Sequence, residues 1–207
     1  MKIFFSMCCL VIFLMMVVFS VVHADDNKAS PSLETCLKKA DELPDIAAAN
    51  AEIWVKNGGG FQAKLCFALA QFKRNEFLDA AQKFSSLALL SRLKNPVMAA
   101  SLYSQSGLSY MRAMESAEAE TAYAEALKLN PGDPEIWVDR ATLRTAMEHY
   151  WDALNDLNQA LKLNPKEAVA LRLRGQTWVK LGNRQKAQED FLAAEDLDPQ
   201  TLGVSHE

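Results

Sequence analysis

Apolar residues follow two unlike patterns along this chain. From Ile3 to Val22 the run IFFSMCCLVIFLMMVVFSVV carries no charge. Beyond it, apolar positions fall three and four apart in paired runs separated by short polar turns, which predicts pairs of amphipathic helices joined as antiparallel hairpins. The pairs recur. Leu129-Asn130-Pro131, Leu163-Asn164-Pro165 and Leu197-Asp198-Pro199 stand 34 residues apart. The same interval aligns Gly107, Ala141 and Gly175, then Ala119, Ala153 and Ala187, then Tyr123, Leu157 and Phe191, then Ala126, Ala160 and Ala194. Every column is small or apolar. Small residues allow two helices to approach closely, while Tyr103, Tyr110 and Tyr123 fill the space that remains. Proline closes a unit because it cannot continue a helix interior.

This spacing of large, small, aromatic, small, aromatic, small and proline resembles the tetratricopeptide repeat family. Three units carry it. Residues 100–133 have Tyr103, Gly107, Tyr110, Ala119, Tyr123, Ala126 and Pro131; residues 134–167 have Trp137, Ala141, Ala153, Leu157, Ala160 and Pro165. Residues 168–201 have Leu171, Gly175, Trp178, Ala187, Phe191, Ala194 and Pro199, followed by a tail at 202–207. A weaker unit at 61–99 holds Ala68, Phe77, Ala80 and Phe84 in register, with a longer connection from Ser91 to Pro96. A degenerate hairpin at 25–60 has Cys36 on its first helix and Ala47, Ala51 and Trp54 on its second.

The resemblance implies an all-α fold, a right-handed superhelix of stacked antiparallel hairpins, whose inner surface is lined by the first helix of each unit. Side chains on those helices outside the hairpin cores are then the candidates for partner binding. They are Leu65, Leu69 and Phe72 in the weak unit, and Ser104, Leu108 and Met111 in the next. Val138, Thr142 and Thr145 follow, then Arg172, Gln176 and Val179. The lining is apolar at one end and polar at the other. The N-terminal hairpin could instead cover the apolar end, since exposed apolar patches are either covered or used. Family members that grip carboxylate tails do so with basic and asparagine side chains on these helices; Leu65, Leu69, Ser104 and Gln105 do not supply that clamp.

The uncharged N-terminal run follows Lys2 and ends at Val22-His23-Ala24, ahead of Asp25-Asp26. Small side chains at Val22 and Ala24 fit a signal peptidase, so residues 1–24 read as a secretory signal peptide and the destination as an exported, periplasmic compartment. The alternative is an uncleaved anchor, because 20 uncharged residues can cross a bilayer core of ~30 Å. The whole chain of 207 residues is 50% apolar and 23% charged, with 22 Lys+Arg and 26 Asp+Glu, the profile of a globular protein. Without Lys2 the balance is 21 basic to 26 acidic, a net charge of −5. That argues against nucleic acid or anionic lipid as a partner, and admits a membrane only if the N-terminal run stays attached.

Export also bears on the cysteines. Cys36 and Cys66 are the two beyond the signal segment, on the first helices of successive hairpins, and an oxidising compartment favours a disulfide between them. Two separate buried thiols are the alternative. No metal site is expected, because the histidines are His23, His149 and His206 and no four-ligand set forms.

The second and third units place Arg140 and Arg174 where the family favours an apolar residue, and an aspartate follows each by sixteen residues, Asp156 and Asp190. The preceding unit has Ser106 and Ala122 at those places. Arginine and aspartate arrive together and leave together. This predicts structural ion pairs across the hairpin, since an unpaired buried charge costs several kcal/mol. Gly58-Gly59-Gly60 lacks the Gly-Lys-Ser/Thr of a phosphate loop and reads as a helix-ending turn. Glu115, Glu118 and Glu120 read as a solvated helix face, and His149 as a turn residue. No catalytic set and no cofactor is expected. The reading is a non-catalytic interaction module binding a peptide or helix of a partner; a tethered assembly factor of an envelope complex, or a small hydrolase with an unrecognised site, are the alternatives.

Overall fold

Turns and caps at regular intervals divide the chain into helices. The computed structural model describes residues 32–198, so the signal segment, Pro199 and the tail lie outside the described residues. Among the described residues there are ten helices in five hairpins. They are α1 (Leu33–Glu42) with α2 (Pro44–Lys56), α3 (Gly60–Lys73) with α4 (Phe77–Ser91), and α5 (Pro96–Arg112) with α6 (Ser116–Leu129). The last two pairs are α7 (Pro134–Ala146) with α8 (Tyr150–Leu163), and α9 (Ala168–Lys180) with α10 (Arg184–Leu197). Each helix packs on its successor, and α7 also packs on α5 and α9 on α7, so the hairpins stack in chain order.

Starts are written in the sequence. Ser32 closes a capping box with Thr35, and Asn95, Asp133 and Asn183 accept backbone N–H groups of α5, α7 and α10 through their side chains. Pro44, Pro96 and Pro134 occupy first-turn positions, where a missing N–H costs nothing. Because Asn95 caps and Pro96 follows, α5 begins four residues ahead of the repeat frame at 100 and runs for 17 residues.

The turns of the last four hairpins share one geometry. Asn75, Met114, Glu148 and Gly182 have φ of 62°, 64°, 62° and 80°, and the next residue's N–H reaches back to the carbonyl of the residue five positions before it. Those bonds are Glu76 to Gln71 (2.9 Å), Glu115 to Tyr110 (2.9 Å), His149 to Arg144 (2.8 Å) and Asn183 to Trp178 (2.9 Å). Met114, Glu148 and Gly182 are one repeat apart, yet only the last is the residue for which a left-handed backbone carries no Cβ penalty.

The core follows the small-residue columns. Ala68, Ala80, Phe84, Ala100, Ala119, Tyr123 and Ala126 form the largest buried cluster, and Ala141, Ala153, Leu157, Ala160 and Ala194 the next. A Cβ on Gly107 would stand 2.9 Å from the Tyr123 ring, and one on Gly175 would stand 2.6 Å from the Phe191 ring. The aromatic of one helix thus lies on the bare backbone of the other. At the N-terminus Cys36 is disulfide-bonded to Cys66 with Cα atoms 5.9 Å apart, amid Ala51, Leu33, Trp54 and Phe67. A crosslink spanning 30 residues contributes about 3–4 kcal/mol in the chain-entropy model.

Replacing Glu148 by Gly removes the left-handed penalty at the α7–α8 turn. The expected result is a gain of about 0.5–1 kcal/mol in thermal or urea unfolding; a loss would mean that the turn is held by the glutamate side chain.

Candidate functional site

The first helices of the last four hairpins, α3, α5, α7 and α9, carry the candidate residues, and their exposure divides them. Leu65, Leu69, Phe72 and Met111 are half-buried and pack on the largest core cluster, Phe72 meeting Phe77 edge to face at 5.3 Å between ring centroids. Val138 leans on the second cluster. Leu108, Thr145 and Arg172 are half-exposed; Thr142, Gln176 and Val179 are open to solvent. Hence the apolar end of this face is partly consumed by packing, and its polar end is free.

Ser104 departs from the expected surface position. It is 8% exposed, and its hydroxyl donates to the Asp139 carboxylate at 2.9 Å, because α7 packs against α5 at that level. Asp139 was not legible as a site residue. Burial, the leading influence, pushes its carboxyl up to about 6, against the lowering effect of the Ser104 bond, and Glu135 and Asp133 add to the rise. Burial likewise raises the Tyr123 phenol, with Asp139 adding to it, and the Tyr123 hydroxyl finds no hydrogen-bond partner among the described residues. One repeat later the same two places hold Leu157 and Leu173. The polar pair and the apolar pair are alternative fillings of equivalent hairpin contacts.

The arginines are engaged with carboxylates. Arg140 donates from Nε (2.9 Å) and Nη2 (2.7 Å) to Asp156, which is 2% exposed, and its guanidinium also lies over the Trp137 ring. Arg174 binds Asp190 in the same two-pronged way at 2.9 and 2.6 Å, with Nη1 donating to Asn158 at 2.9 Å. A third arginine joins the first pair: Arg144 donates to Asp156 at 2.8 Å and to Glu120 at 2.6 Å. The signal for Arg144 was present but negative. It occupies the column that holds Tyr110 and Trp178 in the flanking units, and a cation in an aromatic slot requires anions nearby. This network joins α6, α7 and α8.

A separate hollow of about 280 Å³ lies among α4, α5 and α6, lined by Ser85, Tyr103, Tyr110, Glu118, Thr121 and Glu125 among others. None of the candidate residues on the first helices contributes to it.

This arrangement has solved counterparts. A structure of MamA overlaps 78% of this chain and 92% of that one with a TM-score of 0.67 at 16% identity. MamA from residue 41 to the end, from Desulfovibrio magneticus RS-1, overlaps 82% and 92% with a TM-score of 0.68 at 16% identity. YrrB, described as a TPR protein with an unusual peptide-binding site, overlaps 84% and 88% with a TM-score of 0.62 at 19% identity. The fold is a tetratricopeptide-like α-solenoid. No protein-family model matches the chain. A curated relative, small glutamine-rich tetratricopeptide repeat-containing protein 2 of Mycosarcoma maydis, is 30% identical over 93 residues, which are 45% of this chain and 26% of that protein.

Two measurements test the electrostatics. Asp156 retains Arg144 when Arg140 is lost, whereas Asp190 has Arg174 as its one cation among the described residues. Arg174→Leu is therefore expected to cost about 3–5 kcal/mol in urea unfolding and Arg140→Leu distinctly less; equal losses would show that Arg144 does not compensate. For Asp139 the folded carboxyl holds its proton more tightly than the unfolded one, so its ionisation destabilises the fold as pH rises from about 4 through about 6. Asp139→Asn should raise stability at pH 7 by on the order of 1–2 kcal/mol and leave it unchanged at pH 4, flattening the profile between.

Proposed function

We propose that this protein is a non-catalytic interaction scaffold of an exported, periplasmic compartment, which holds a peptide or a helix of a partner protein along the face formed by α3, α5, α7 and α9. The observation that carries this reading is the gradient on that face. Leu65, Leu69, Phe72 and Met111 rest on the core yet keep part of their surface, and Thr142 and Gln176 continue the face as open polar positions, with Val179 exposed beside them. An amphipathic segment of a partner would bury its apolar side at the first end and hydrogen-bond at the second. YrrB, with its unusual peptide-binding site, is a solved relative in fold that is consistent with such use. Arg140, Arg144 and Arg174 are tied to Asp156, Glu120 and Asp190 rather than left to read a carboxylate or phosphate ligand, so they serve the scaffold. Export rests on the uncharged run Ile3–Val22 and the small residues that follow it.

In-cell crosslinking with mass spectrometry tests the reading. Crosslinks to a partner should centre on α5 and α7. The pair Leu108→Asp and Thr142→Lys, both at accessible positions, should remove them while far-ultraviolet circular dichroism and melting stay unchanged. Crosslinks that persist in that variant would place the partner elsewhere.

A further inference from the structure

The connection between α4 and α5 is unlike the other connections. It joins the two longest helices among the described residues, and its apolar residues point away from the core: Leu89 is 63% exposed, Leu90 67%, Leu93 96% and Val97 61%. Met98 adds to the same end. On the opposite side of the same helix turn Leu87 and Ala88 are fully buried, so the exposed leucines are surplus to the core. The mounting is firm. Ser106 of α5 donates to the Ala81 carbonyl of α4 at 2.8 Å and bonds the Ser85 hydroxyl at 2.7 Å, and Asn95 caps α5.

Charge singles out the same place. From Ala80 to Met114 there is no acidic residue, while Lys83, Arg92, Lys94 and Arg112 are all basic, in a chain that is otherwise acidic. Arg92 and Lys94 flank Leu93 directly. Glu125 approaches Arg92 at 3.7 Å but is also held by Lys128, so this connection keeps an excess of positive charge.

We infer that the α4–α5 tip docks on the surface of an anionic phospholipid bilayer, with Leu90, Leu93 and Val97 entering the headgroup boundary and Arg92 and Lys94 meeting lipid phosphates. A projecting, aliphatic end flanked by cations fits a deformable interface: the leucines bury in the acyl boundary while the long basic side chains keep their charges at headgroup level. The centre of a protein interface has a different composition, depleted in lysine and enriched in aromatics, and this tip has no aromatic residue. The net charge of −5 beyond the signal segment argues against lipid for the domain as a whole, but screening confines electrostatics to about 8–10 Å, so the local excess governs what the tip meets.

The test uses the full chain with phosphatidylcholine vesicles, with and without phosphatidylglycerol. Hydrogen–deuterium exchange of residues 87–98 should slow with the anionic vesicles and not with the neutral ones, a readout local to the tip whatever the N-terminal run does. In sedimentation, Arg92→Gln with Lys94→Gln should abolish the preference for anionic vesicles, on the order of tenfold. Leu90→Ser with Leu93→Ser should weaken binding by a similar factor at unchanged melting temperature, both positions being exposed. Exchange at 87–98 that ignores anionic vesicles, or variants that sediment like the parent, would overturn the inference. Protection at 87–98 by a captured envelope protein without protection by vesicles would overturn it as well.

Discussion

Close approach of the two helices in a hairpin is the constraint on which the rest of this structure depends. A single amphipathic hairpin leaves its apolar stripe in water; it becomes stable only when it packs tightly within itself and against its neighbours. Here the approach is set where Tyr123 lies on Gly107 and Phe191 on Gly175, contacts with no room for one further carbon atom. Alanines at 119, 153 and 187 keep the same spacing, and all three are buried. The 34-residue period is the imprint of that geometry on the chain. It also explains why so few large side chains are needed: Phe84, Leu87, Tyr123, Leu143 and Leu157 are the large apolar residues that are fully buried.

The charged side chains buried in this core, Asp156 and Asp190, come with partners in sets. Arg140, Arg144, Asp156 and Glu120 form one, and Arg174, Asp190 and Asn158 another, both built on the columns that Ser106 and Ala122 fill in the first clear unit. Such groups offset one another's desolvation without adding much net stability, but they penalise any register in which one partner is missing. Ser104, Asp139 and Tyr123 form a third and less balanced set, with a carboxylate that lacks a cation and a phenol without a partner among the described residues. The hairpin contact around α5 and α7 is therefore the one most open to pH.

Two surfaces follow from the scaffold for different physical reasons. The first helices present a face that is apolar where the stack begins and polar where it ends, suited to a partner segment. The α4–α5 connection leaves aliphatic residues in solvent beside Arg92 and Lys94, just ahead of the Asn95 cap and Pro96 that start α5. The two are compatible uses of one molecule, since the residues proposed for each belong to different parts of the fold.

The repeat period was sufficient to read three hairpins and the close contacts at Gly107, Gly175 and the alanine columns, because a small residue facing a large one is a requirement of close packing and recurs visibly, whereas the two N-terminal hairpins carry it faintly. The sixteen-residue interval from Arg140 to Asp156 and from Arg174 to Asp190 was legible for a related reason, as a buried charge needs a partner and both members of these pairs lie on the two helices of one hairpin. Contacts between units left no such interval. That Arg144 would reach Glu120 in the preceding hairpin, that Asp139 would close over Ser104, and that Leu93 would stand clear of every neighbour depended on how successive hairpins sit against each other. Local spacing constrains a helix and its hairpin mate; the burial of a side chain between hairpins is decided by the stack.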